Sequence, residues 1–130
     1  MRKHIIISLS IFTLLIISLQ AYSQTKANAL DINKTVELLK SNSSITIIDV
    51  RTPDEIKETG NIKNSVNIDF KADDFKAKVS KLDKNKTYLI YCRSGNRAGQ
   101  ASKIMIDLGF KNINYLKNGG YSELSKALNK

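Results

Sequence analysis

Three short apolar runs, "ITIIDV" at 45–50, "YLIYC" at 88–92 and "INYL" at 113–116, stand between segments whose apolar residues recur at helical spacing. Runs of this length, without polar alternation, suit strands covered on both faces, and parallel sheets provide that cover. A shorter "VNI" at 66–68 would add one more strand. The alternation of strand and helix predicts an α/β domain with a mostly parallel central sheet flanked by helices.

The helical segments carry their own boundaries. A first helix is expected after Asn33 as cap, with Val36, Leu39 and Leu38 toward the core and an end near Lys40. The second opens on "TPDE", where Thr52 caps, Pro53 takes the first helical position and Glu55 completes a capping box, with Gly60 as the stop. A third reads from 73 to 82 through Phe75, Val79 and Leu82. The fourth places Ala98, Ala101, Met105 and Leu108 on one face before Gly109, and a last helix after Gly119 and Gly120 uses Leu124 and Leu128.

Residues 1–23 read as a signal peptide: Arg2 and Lys3 precede an apolar stretch at 5–19, and Ala21 and Ser23 form a small-x-small cleavage site before Gln24. The stretch is shorter than the ~20 residues a spanning helix needs and is interrupted by Ser8, Ser10, Thr13 and Ser18. The expectation is an exported, periplasmic or secreted protein with no stable membrane insertion after cleavage, folded as one domain over 24–130 with 24–28 as a loose lead-in. No repeat, low-complexity tract or linker divides it. The net charge of +9 falls by two when Arg2 and Lys3 leave, and the lysines are scattered. That distribution fits a solvated exterior rather than a nucleic-acid stripe. A monomer is the default for a small domain with no evident apolar surface stripe.

Cys92 is the only cysteine, so it is a free thiol, an intermolecular partner or an apolar filler at a strand end. The only histidine, His4, lies in the expected leader. One cysteine without histidine supplies no usual transition-metal set and no imidazole for protease-type activation, so neither a metal nor a cofactor is expected. The order strand, Cys92, short loop, helix sets the sulfur at the carboxyl edge of a parallel strand, beside the unpaired amides of a helix N-terminus. Such amides and the neighbouring cations Arg93 and Arg97 favour a thiolate, the nucleophilic form of the sulfur. Gly95 would let the loop amides converge on one point. Asp49 reads as a structural tie between strand end and helix start, whereas Arg51 is left between that role and shaping the pocket. Glu55 is most simply a cap.

The stretches "IIDVRTPDE" at 47–55, "GNIKNSVNI" at 60–68, "YCRSGNRA" at 91–98, "LGF" at 108–110 and "NGG" at 118–120 occur in this order, and in them the chain resembles the rhodanese family. Its length, leader and "GQA" at 99–101 make it most similar to small periplasmic single-domain rhodaneses of the phage-shock type. The resemblance implies a rhodanese-like three-layer α/β fold and a thiosulfate sulfurtransferase. Cys92 would take the outer sulfur of a small anionic donor as a persulfide and pass it to a thiol or cyanide. The loop Arg93, Ser94, Gly95, Asn96 and Arg97 would bind the persulfide through backbone amides, with Arg93 and Arg97 attracting the anion. A site without histidine suits this chemistry, because sulfite leaves as a stable anion and needs no proton donor. The chain departs from many relatives at Asn61, where they carry histidine, at Asn118, where they carry an acid, and after the paired glycines, where Tyr121 stands in place of tryptophan.

Two other functions compete. Related folds use a cysteine and arginine loop in phosphatases and arsenate reductases, but those loops are typically one residue longer than 92–97, and an alkoxide leaving group wants a general acid. A non-catalytic sulfur carrier, thiol-redox or binding module would need an outside thiol to restore an oxidised Cys92.

Overall fold

The computed structural model describes residues 25–130; the expected leader at 1–23 lies outside them. Five strands alternate with five helices: β1 (Asn28–Leu30), α1 (Ile32–Ser41), β2 (Thr46–Asp49), α2 (Pro53–Thr59), β3 (Val66–Asn67), α3 (Phe75–Val79), β4 (Thr87–Tyr91), α4 (Asn96–Asp107), β5 (Asn112–Leu116) and α5 (Tyr121–Leu128). The strands form one sheet in the order β1-β5-β4-β2-β3, and each neighbouring pair is parallel. The α/β layering expected from the alternation is therefore the observed one.

Strand parity divides the core. On one face of the sheet Ile48, Tyr88, Ile90 and Cys92 join Phe75 and Val79 of α3 and Ala98, Ala101 and Met105 of α4. On the other, Leu89, Tyr91 and Leu116 meet Leu124 of α5 and the half-buried Val36 and Leu39 of α1. Successive side chains of a strand point to opposite faces, so the two-residue step from Ile90 to Cys92 turns the sulfur toward α4. β4 is the central strand, and its residues 88–91 are all buried.

Three boundaries differ from the sequence reading. α1 is capped by Asp31, whose carboxylate accepts the Lys34 N–H at 2.8 Å, and not by Asn33, which lies inside the helix. α3 covers only Phe75–Val79, because Leu82 packs from a following turn closed by Leu82 N–H to Val79 O at 3.0 Å. The lead-in ends in a strand: β1 pairs with β5, and the Lys117 N–H continues the ladder to Leu30 O at 2.9 Å. Thr52, Pro53 and Glu55 form the expected capping box, and Gly60 ends α2 with φ of 84°. Among the described residues no helix is long and apolar enough to cross a membrane.

Candidate active site

Cys92 follows the last residue of β4, and α4 begins four residues later at Asn96. Its side chain is 1 % exposed and its Sγ accepts N–H groups from Gly95 at 3.1 Å and Ala98 at 3.4 Å. The sulfur thus sits inside a turn whose backbone supplies donors. The N–H groups of Arg93, Ser94, Asn96 and Arg97 find no protein acceptor among the described residues, leaving the loop able to receive negative charge. Gly95 is what permits the turn: its φ is 97°, and a Cβ there would stand 2.9 Å from the Asn118 backbone nitrogen. The side chains of Arg93, Ser94 and Asn96 are exposed, and Asn96 accepts a bond from Gln100 at 2.5 Å.

The two loop arginines differ. Arg97 makes a bidentate pair with Glu55, at 2.7 Å to each oxygen, tying the start of α4 to the start of α2. Glu55 also accepts the Thr52 N–H at 2.9 Å, so one carboxylate caps a helix and holds the loop. The Arg97 hydrogen bonds are the main reason that the Glu55 carboxyl falls from its ordinary 4.5 to about 2. A folded-state value below the unfolded one means stability that is present above pH 4.5 and lost as pH falls toward 2. In acid unfolding, the stability difference between the parent and Glu55→Gln is expected to close across that window. A difference unchanged from pH 6 to pH 2 would show that the charge pairing contributes nothing. Arg93 makes no ion pair among the described residues.

Asp49 and Arg51 are both buried, at 0 % and 3 % exposure, and meet through Nη2 to Oδ2 at 2.7 Å and Nε to Oδ1 at 3.0 Å. Arg51 also donates to Thr59 Oγ1 and the Gly60 carbonyl, both at 2.9 Å, and lies 4.4 Å from the Tyr121 ring centroid. Tyr91 donates its hydroxyl to Asp49 at 2.6 Å. Burial, reinforced by that bond to Asp49, pushes the Tyr91 phenol up to about 12. The pair ties the end of β2 to the end of α2 at Thr59 and Gly60 rather than to its start, and Arg51 also borders a groove beside Arg93.

The β5–α5 turn presses on the loop from behind. Tyr121 donates its N–H to Cys92 O at 2.9 Å, and a Cβ on Gly120 would overlap the carbonyl oxygens of both Cys92 and Arg93. Backbone, rather than a flexible side chain, would have to yield. Gly120→Ala is therefore expected to cost about 3 kcal/mol, the upper range for overpacking, and to slow alkylation of Cys92 by disturbing its loop. Urea unfolding would check it, and a loss below about 0.5 kcal/mol would contradict this contact. The family departures fall around the same support: Asn61 bonds Ser65 at 3.0 Å, Asn118 adopts φ of 52°, and Tyr121 bonds Thr59 O at 2.8 Å.

Sequence reasoning missed the second use of Glu55, because a capping box explains that residue completely without its partner 42 positions away. It also gave Tyr121 no role beyond standing in for tryptophan. A larger hollow of about 590 Å³ lies between α1 and α5, lined by Leu39, Ile47, Ile62 and Leu128, and no residue of 92–97 borders it.

The sequence matches the rhodanese-like domain family over residues 31–127. It is 35 % identical to a Schizosaccharomyces pombe protein provisionally named a mitochondrial thiosulfate sulfurtransferase, over 82 % of this chain and 86 % of that one. It is 30 % identical to thiosulfate sulfurtransferase PspE of Escherichia coli over 51 % of this chain and 62 % of that one. A rhodanese-related protein of Thermoplasma volcanium superposes with a TM-score of 0.62 at 27 % identity, covering 76 % of this chain and 92 % of that structure. With the parallel sheet, the 92–97 loop and these matches in agreement, the chain belongs to the rhodanese-like domain family.

Proposed function

We propose that this protein is a sulfurtransferase that carries sulfane sulfur on Cys92, with thiosulfate as donor. The observation that carries this reading is the Cys92 sulfur held by the Gly95 and Ala98 N–H groups in a loop with further unpaired amides. In the loading step the Cys92 thiolate attacks the outer sulfur of thiosulfate, forming a Cys92 S–S bond. The S–S bond of the donor breaks, and its electron pair leaves with sulfite. The persulfide keeps one negative charge, which the loop amides receive. An acceptor thiolate or cyanide then attacks the outer sulfur, and the electron pair of the broken bond returns to Cys92. No step needs a protein acid or base, and the described residues hold no histidine.

The phosphatase alternative fits less well. Glu55 is the carboxylate bound to the loop, and with its carboxyl at about 2 and both oxygens on Arg97 it has no proton to give a leaving alkoxide at neutral pH. The proposal extends to place: the leader at 1–23 would send the domain to the periplasm or outside the cell, where it would work as a monomer. N-terminal sequencing of the protein from its native compartment tests the cleavage before Gln24.

The decisive experiment is the intact mass of the purified protein after brief exposure to thiosulfate. A gain of one sulfur atom, removed by cyanide as thiocyanate appears, is expected. An unchanged mass with Cys92 reduced would reject thiosulfate as donor, and a mixed disulfide on protein from its native compartment would favour the redox module.

A further inference from the structure

Beside the loop lies a groove of about 490 Å³, bounded by Arg93, by the end of α2 at Glu58 and Thr59, and by the start of α5 at Tyr121, Ser122 and Glu123. Its charges are unequally engaged. Arg51 is taken by Asp49 and Glu55 by Arg97, while Glu123 accepts the Gly120 N–H at 2.9 Å. Among the described residues Arg93 and Glu58 alone of these charged side chains have neither an ion pair nor a hydrogen bond, although they border the same hollow with opposite signs. The volume is that of a small-molecule site. A dianionic donor gains little here, because Glu58 and Glu123, neither in an ion pair among the described residues, share the hollow with Arg93. A ligand bearing both an ammonium and a carboxylate matches both signs.

We propose that this groove binds the sulfur acceptor, and that the acceptor is an amino-acid or short-peptide thiol whose carboxylate meets Arg93 and whose ammonium meets Glu58. The assignment rests on the sulfurtransferase reading for its role, and on the groove alone for its binding chemistry. Arg93 adjoins Cys92 in the chain, so a ligand anchored there is held next to the loop that carries the sulfur. Its thiolate attacks the outer sulfur of the Cys92 persulfide. One S–S bond forms on the acceptor as the bond to Cys92 breaks, and the Cys92 thiolate is regenerated.

S-methylcysteine, which binds but cannot accept sulfur, separates recognition from transfer. Titrated into the reduced protein by calorimetry, it is expected to bind more tightly than 3-(methylthio)propanoate, which lacks the amine, or 2-(methylthio)ethylamine, which lacks the carboxylate. Arg93→Gln should weaken S-methylcysteine and the carboxylate analogue about fivefold while leaving the amine analogue unchanged. Glu58→Gln should do the reverse. Equal binding of all three compounds, or parent-like binding in both variants, overturns the proposal. Both side chains are exposed, so neither variant threatens the fold. Persulfide loading from thiosulfate is followed on the same samples. Loading without the charge pattern rejects the groove and keeps the sulfurtransferase, whereas the pattern without loading keeps the groove and rejects thiosulfate as donor.

Discussion

Cys92→Ser is expected to lower thiocyanate formation from thiosulfate and cyanide by at least ~10³-fold, because a serine hydroxyl is not ionised at neutral pH and cannot store sulfane sulfur as a persulfide. The fold should survive. Serine is close in size to cysteine and offers an oxygen to the Gly95 and Ala98 N–H groups that now point at Sγ. A melting temperature within about 3 °C of the parent would show that chemistry alone was removed. Retention of more than about a tenth of the activity would place the sulfur-carrying step elsewhere and remove the basis of the proposed mechanism.

Asp49→Ala should fail in the opposite way, by unfolding rather than by losing a reacting atom. It would leave the guanidinium of Arg51 at 3 % exposure without its carboxylate, and strip the Tyr91 hydroxyl of its acceptor. Removing one partner of a buried ion pair costs about 3 to 5 kcal/mol. That is a large part of the ~5 to 15 kcal/mol by which domains of this kind are stable. The melting temperature should fall by on the order of 15 °C or more. Replacing both residues, as Asp49→Ala with Arg51→Met, should recover part of the loss because no uncompensated charge remains buried. A single variant within 1 kcal/mol of the parent would mean that water reaches Arg51 and replaces the tie.

Much of the fold was legible because its three inner strands are largely buried. β2, β4 and β5 appear as continuous apolar runs, and α4 announces itself through Ala98, Ala101 and Met105, all fully buried. The Thr52 to Glu55 capping box was readable because its partners are three residues apart. β1 was not: its three residues, "NAL", lie at the sheet edge, where half of the ladder faces no strand and no apolar run is needed. The α1 cap was misplaced for a related reason. Asp31 and Asn33 are equally good capping residues, and only the observed course of the chain decides between them.

The same division runs through the site. Sequence alone determined that a single cysteine ends an apolar strand before a glycine-containing loop and a helix, because strand, turn and helix signals are local and lie within a few residues of one another. Only the tertiary structure decided how the charges around it are spent: Glu55 holds Arg97, Arg51 reaches Thr59 and Gly60, and Arg93 is left to face the groove opposite Glu58. The Glu55–Arg97 pair joins residues 42 positions apart that the parallel neighbours β2 and β4 bring together, and a charge carries no mark in the sequence of a distant partner that neutralises it.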